Sequence, residues 1–248
     1  MRKRKPLQRF LLLVLAFACA AGSLSACKRK GMDATTLFAD TEGLIVTENS
    51  VSFPEPLTAR LFAESTAEAG FAVSYTVQSD NPEYTWIGAG GLYVELDGFE
   101  VDTDDDGVPD GNLWHNLVVY QDPKQSTRDA FACLHIIEKG VFAEQDRNEG
   151  AEYVTTLPFS VASNPIDVSI AYYDAAYYIM LDRTYKVKLT ADLAYAQTNK
   201  TLYLNEFFAP RTRKIGFRST NTPATFSTIN VAIGDEAARE AIRDMGLD

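Results

Sequence analysis

Residues 168–182 read VSIAYYDAAYYIMLD. Apolar, β-branched and aromatic residues fill both arms, and one carboxylate, Asp174, interrupts them. Such residues suit the pleated, half-buried surface of a sheet, whereas Asp favours a turn. The stretch therefore predicts a hairpin: a strand, a turn around Asp174, and a second strand. The same period of two runs outward in both directions. IDVSIAYY sets Ile166, Val168 and Ile170 on one face, and FAVSYTVQ does so for Phe71, Val73, Tyr75 and Val77. TYKVKLTAD turns Tyr185, Val187 and Leu189 inward and Lys186 and Lys188 outward. Turn-rich pieces such as SDNPE, ASNP and STNTPAT separate the runs. LYLNEFF, KIGFRS and ATFSTINV read as closing strands. DEAAREAIRDMG reads as a short C-terminal helix, with Asp235 expected to cap its start and Gly246 its end, while STRDAFACLHIIEKG fits helix or strand. The sum is an all-β chain folded as one antiparallel β-sandwich.

The N-terminus is of another kind. MRKRKPLQRF carries five basic residues, LLLVLAFACA is apolar, and AGSLSAC ends in small residues. This is the layout of a secretory signal, too short to span a bilayer stably. Leu24, Ser25, Ala26 and Cys27 resemble the bacterial lipobox. The resemblance implies that residues 1–26 are a signal peptide and that Cys27 carries lipid, which places the mature chain in a bacterial cell envelope on the extracytoplasmic side. Lys28 after the cysteine favours the outer membrane in a Gram-negative cell. Residues 27–42 are expected to be a flexible tether and residues 43–248 the sandwich.

The whole chain has 23 Lys+Arg against 34 Asp+Glu, a net charge of −11. Five of the basic residues precede Cys27, so the mature chain holds 18 against 34, a net of −16. Such a surface repels nucleic acid and attracts cations. Of three cysteines, Cys19 leaves with the signal and Cys27 is the lipid site, so Cys133 is a core thiol and no internal disulfide is expected. The chain contains no GxSxG, CxxC, HExxH or P-loop motif, which leaves serine-nucleophile, redox, zinc-protease and nucleotide chemistry without local support.

The chemistry concentrates in GGLYVELDGFEVDTDDDGVPDGNLWHNLVVY, residues 90–120. Asp102, Asp104 and Asp106 alternate, Gly107 permits a sharp turn, and Asp110 follows. Carboxylates this close repel one another unless a cation joins them, and calcium needs six to eight hard oxygens. The expected ligands are Asp102, Asp104, Asp106 and Asp110 with the backbone oxygen of Val108. Trp114 and Trp86 are the aromatic residues expected to stack on a ligand. The tyrosines at 172, 173, 177 and 178 are candidates of the same kind, with core packing as the alternative.

The order of segments resembles concanavalin-A-like jelly rolls, the fold of L-type lectins, laminin-G-like modules and family-sixteen glycoside hydrolases. DxDxDG followed by VPD resembles EF-hand loops and thrombospondin type-three repeats, with Leu113 standing where an EF-hand has its Glu. Glu95, Asp97 and Phe99, with Asp110 and His115, resemble the two-metal site of L-type lectins. That likeness implies that Glu95 and His115 help hold a transition metal, and that Asp97, Asp110 and the Phe99 carbonyl serve calcium. ELDGFE also resembles the acidic strand of family-sixteen hydrolases. There Glu95 would be the nucleophile, Asp97 its modulator and Glu100 the acid/base, brought onto one face by a bulge at Gly98 and Phe99. Three functions therefore stand as expectations. The first is a calcium-stabilised module that binds a glycan or another extracytoplasmic ligand without catalysis. The second is a glycoside hydrolase, and the third a structural or adhesive surface module with protein partners.

Overall fold

A computed structural model describes residues 31–79, 87–102, 106–109, 111–121, 129–137, 151–160, 165–192, 204–219 and 222–248. In chain order the strands are β1 (Ile45–Val46), β2 (Ser50–Phe53), β3 (Ala59–Ser65), β4 (Phe71–Ser79) and β5 (Ile87–Val101). Then follow β6 (Gly111–Gln121), β7 (Asp129–Ile137), β8 (Ala151–Ser160), β9 (Ile166–Tyr173) and β10 (Ala176–Leu181). The last are β11 (Tyr185–Leu189), β12 (Arg213–Ser219) and β13 (Ala224–Ile233). Two helices are α1 (Leu204–Phe208) and α2 (Asp235–Met245). The strands form a seven-stranded sheet, β1-β2-β13-β4-β9-β10-β11, and a six-stranded sheet, β3-β12-β5-β6-β7-β8, with antiparallel pairing in both. This is an antiparallel jelly-roll β-sandwich with a short C-terminal helix.

The hairpin at Asp174 shows how local chemistry sets the register. Asp174 and Ala175 both take left-handed φ angles, 50° and 54°, and Tyr173 pairs with Ala176 across them. A two-residue turn of this hand matches the natural twist of the flanking strands. Beyond it, alternation buries Ile166, Val168 and Ile170 on β9 and Phe71, Val73, Tyr75 and Val77 on β4. The two sheets meet through rings. Phe217 of β12 stacks on Phe226 of β13 at 4.3 Å and an interplanar angle of 2°, and Tyr75 of β4 meets Phe217 edge-on at 4.9 Å.

The structure differs from the sequence reading at three places. The described part of LYLNEFF is no closing strand: residues 204–208 are helical, and the adjacent Phe207 and Phe208 are both buried, which a strand cannot do on one face. Phe207 stacks on Tyr177 at 4.3 Å, and Phe208 meets Phe207 edge-on at 5.1 Å. The Arg213 guanidinium, wholly buried, anchors this turn. It donates to the carbonyls of Arg211 (2.6 Å), Phe207 (3.2 Å) and Ala209, and lies 3.7 Å from the centre of the Tyr172 ring. Asp235 does not cap α2. Gly234 occupies the cap position, and the Asp235 carboxylate instead accepts from the Gly70 amide at 2.8 Å, tying the helix to the start of β4. Gly246 does end the helix, in the left-handed conformation at φ 66°. Residues 129–137 are strand β7, paired on both sides.

The third difference is the segment expected to be a tether. From Gly31 it is a strap closing the edge of the sandwich. The Met32 amide donates to the Ile229 carbonyl at 2.7 Å, and the Ala34 amide to the Glu48 carbonyl at 3.0 Å. A single 3-10 turn, Ala34–Thr36, is capped by Asp33, whose carboxylate accepts from the Thr35 amide. Phe38 then inserts between the sheets, against Phe53 of β2 and against Phe62 and Phe217 of β3 and β12. Removing a buried Phe typically costs about 3–5 kcal/mol. A chain starting at Gly43 is therefore expected to be less stable than one starting at Gly31 by at least about 3 kcal/mol. Urea unfolding of the two measures it, and equal midpoints would show that the strap is dispensable.

Candidate functional site

Alternation divides the residues of the acidic centre between two faces. On β5, Leu92, Val94 and Leu96 enter the core, so Tyr93, Glu95 and Asp97 face outward from the six-stranded sheet. On β6, Leu113 and Leu117 enter the core, and Asn112, Trp114 and Asn116 share the outward side. Cross-strand register joins the two sets, with Glu95 opposite Trp114 and Tyr93 opposite Asn116. β12 adds Lys214, opposite Glu95, and Arg218, opposite Gly91.

These residues make one connected polar and aromatic patch. Tyr93 and Trp114 pack at 5.4 Å, and the Arg218 guanidinium lies 4.6 Å over the Trp114 ring. The Tyr93 hydroxyl donates to Glu95 Oε2 at 3.3 Å, and Asn112 Nδ2 donates to Glu95 Oε1 at 2.9 Å. Lys214 Nζ sits 2.6 Å from Asp97 Oδ1 and 3.8 Å from Glu95 Oε1. Burial, then the neighbouring Glu95 carboxylate, pushes the Tyr93 hydroxyl well above its ordinary range. The hydrogen bond to Asp97 raises Lys214, which keeps the ammonium charged beside both carboxylates. Trp114 is a less open platform than expected: only 7% of it is exposed, because Tyr93 and Arg218 cover it. Asn116 is buried, and both atoms of its amide lack a hydrogen-bond partner among the described residues.

His115 must be removed from any metal site with Glu95. It pairs with Val94, points into the core and contacts Phe207 at 4.3 Å between ring centres. Glu95 lies on the opposite face, so strand geometry keeps the two apart. Phe99 packs its ring against the core and under the Arg211 guanidinium, 4.8 Å away. The register shifts between Glu95 and Glu100, Gly98 takes φ 69°, and Glu100 ends opposite Asn112, on the face that carries Glu95.

The acidic loop is described in part. Gly107 is left-handed at φ 84°, and its amide donates to Asp102 Oδ2 at 2.7 Å. Asp106 Oδ1 accepts from the Val108 amide at 2.8 Å, and Val108 itself is exposed. Asp102 Oδ1 is enclosed without a hydrogen-bond partner among the described residues. An enclosed carboxylate oxygen of this kind is what a hard cation would satisfy. No group of three or more His, Cys, Asp or Glu gathers as a metal cage among the described residues. Asp104, Asp110, Trp86 and Cys27 lie outside the described residues. Among the tyrosines, Tyr172 and Tyr177 are core, Tyr178 is buried against α2, and Tyr173 lies beneath Arg239 at 4.7 Å.

The residues missed in the sequence are Tyr93, Asn112, Asn116, Lys214 and Arg218. Lys214 and Arg218 are visible as the polar alternates of KIGFRS. Nothing in the chain says that β12 lies against β5, which is what makes them partners of Glu95 and Trp114.

No family model matches the chain, and no curated protein matches it. Among solved structures it is similar to the potassium-bound carbohydrate recognition domain of Emp46p, with 11% identity over 83% of this chain and 97% of that one, at a TM-score of 0.44. It is also similar to the alginate lyase AlyA1 of Zobellia galactanivorans, with 10% identity over 79% and 83% and a TM-score of 0.34. A functionally unknown protein from Saccharomyces cerevisiae matches with 9% identity over 78% and 92% and a TM-score of 0.43.

His115 yields a pH prediction. Burial, and then the nearby Arg213 charge, lowers its pKa to about 3, and neither ring nitrogen has a hydrogen-bond partner among the described residues. The folded chain refuses a proton that the unfolded chain accepts below about pH 6.5. Stability is thus full above that value and is lost as pH falls toward 3, by roughly 1.4 kcal/mol per unit from this group. Between pH 7 and 5, wild type should lose on the order of 2 kcal/mol more than His115→Leu. Parallel loss in both, measured by urea unfolding, would mean that His115 is not sealed as a neutral ring.

Proposed function

We propose that the protein is a lipid-anchored envelope module that binds a carbohydrate on the outward face of its six-stranded sheet and leaves it unchanged. The supporting observation is the juxtaposition of the Tyr93–Trp114 pair with Glu95, Asp97, Asn112 and Lys214 on that face. A sugar offers an apolar C–H face and a rim of hydroxyls. Aromatic edges meet the first, and fixed carboxylates and an ammonium meet the second. Tyr93, Asn112 and Lys214 hold Glu95 in one orientation, so less freedom is lost when a ligand binds. Calcium, gathered by Asp102, Asp106 and the rest of the acidic loop, braces the turn between β5 and β6 beside this face. The enclosed Asp102 oxygen supports that role. The lipid on Cys27 holds the module at the membrane.

Hydrolysis is the rival reading, favoured by one observation: the bulge that sets Glu100 on the Glu95 face. A retaining enzyme would then use the two carboxylates as nucleophile and proton donor.

A panel of neutral and acidic polysaccharides, screened by calorimetry in millimolar calcium, separates these readings. Binding is expected without release of reducing ends. Glu95→Gln and Lys214→Met should each weaken it at least about tenfold, the scale of one lost charge-assisted hydrogen bond, in a chain that still melts cooperatively. Product release that Glu95→Gln abolishes would replace binding with catalysis. Calcium should raise the melting temperature of wild type by several degrees and leave Asp102→Asn unmoved. No rise in wild type would remove calcium from the reading.

A further inference from the structure

The strap changes what a lipid on Cys27 does. Gly31 is packed so closely on β13 that a Cβ there would lie 2.9 Å from the backbone of Thr228 and Ile229. Met32 is held twice, by its amide on the Ile229 carbonyl and by its sulfur, which accepts from the Val231 amide at 3.3 Å. Ala34 and Phe38 are buried. The folded body therefore starts at Gly31, and only residues 28–30, Lys-Arg-Lys, separate it from Cys27. Four Cα steps reach about 14 Å at full extension. A folded chain of this size has a radius of gyration of roughly 17 Å, so the leash is shorter than the body it holds.

We propose that the strap seats the sandwich edge-on at a lipid surface, with the β1–β2 corner and residues 228–229 of β13, where its register against β4 shifts, next to the headgroups. The inference rests on the anchor reading given above. Three features of the near edge fit a lipid surface. The leash is three basic residues in a chain otherwise strongly acidic, and they lie within about one Debye length of the anchor. Met32 on the strap and Ile45 on β1 are two of the exposed large apolar side chains, at 42% and 60%. The Glu48 carbonyl, in the turn between β1 and β2, accepts from the Ala34 amide, so the corner travels with the strap. The opposite edge of the seven-stranded sheet is β11, five strands from β2, or about 24 Å at the usual strand spacing.

The test uses the full acylated chain on vesicles of zwitterionic and anionic phospholipid at 7:3. In a Cys133→Ser background, Asn49→Cys in the β1–β2 turn or Lys188→Cys on β11 carries a fluorophore, and a headgroup-attached nitroxide is the quencher. Quenching at position 49 is expected to exceed that at 188 at least twofold. A twelve-residue Gly-Ser spacer inserted between Lys30 and Gly31 should remove the difference. Equal quenching at both positions in a chain that is acylated by mass and floats with the vesicles would overturn the orientation while leaving the anchor intact. A chain that lacks the acyl mass and stays in solution would overturn both.

Discussion

The interior of this sandwich is organised around a cation. Arg213 is fully buried; backbone carbonyls accept from its two terminal nitrogens and the Tyr172 ring lies against it, while Nε has no hydrogen-bond partner and no carboxylate bonds to it among the described residues. A guanidinium in a low-dielectric interior is tolerable only when its N–H groups find acceptors. The carbonyls at the end of a helical turn supply them, because they have no partner within the helix and carry the negative end of its dipole. The local structure follows from that need. Residues 204–208 coil, Phe207 comes to lie on Tyr177, and the Tyr172 hydroxyl reaches the Phe208 carbonyl at 2.9 Å. Lengthening any of these contacts would leave a buried charge with still fewer acceptors. The turn is therefore held more firmly than its five residues would be alone.

The outward face of the same sheet solves the opposite problem. Glu95 and Asp97 stand two residues apart on one strand, where like charges repel. Lys214 from the neighbouring strand lies against both, and Asn112 and Tyr93 take the remaining bonds of Glu95. Arg213 and Lys214 are consecutive in the chain and face opposite ways. One strand thus delivers a cation to the core and another to the surface. The partners differ because the media differ: exposed carboxylates keep much of their hydration, whereas the interior offers only carbonyls and rings.

Much of this was legible from residues alone, and the losses have physical causes. Alternation marked the inward faces of β4, β9 and β11, because a period of two is a local property. The Asp174 turn was legible for the same reason. Which strands lie side by side is not local, so Lys214 and Arg218 could be seen as outward residues but not as neighbours of Glu95 and Trp114. The pairing of Glu95 with His115 failed on parity. A strand that alternates correctly within itself still needs its cross-strand register to say which residues share a side, and that register sets His115 opposite Val94. Residues 204–208 were misread because a short aromatic run has no period long enough to separate helix from strand. The strap was misread because its composition is polar, while its hold on the sandwich comes from Ala34, Phe38 and backbone bonds.

The margins of the seven-stranded sheet have a consequence for crowding. One margin is β1, only two residues long, and the other is β11, five residues whose Lys186 and Lys188 stand exposed, the latter 5.2 Å over the Tyr178 ring. An open margin is a template on which another copy's backbone can continue the ladder. Here one side offers too few amides to template, and the other carries ammonium groups that would meet their own kind in a second copy. Along these two margins, a neighbouring copy finds little on which to continue the ladder, however densely the molecules are packed.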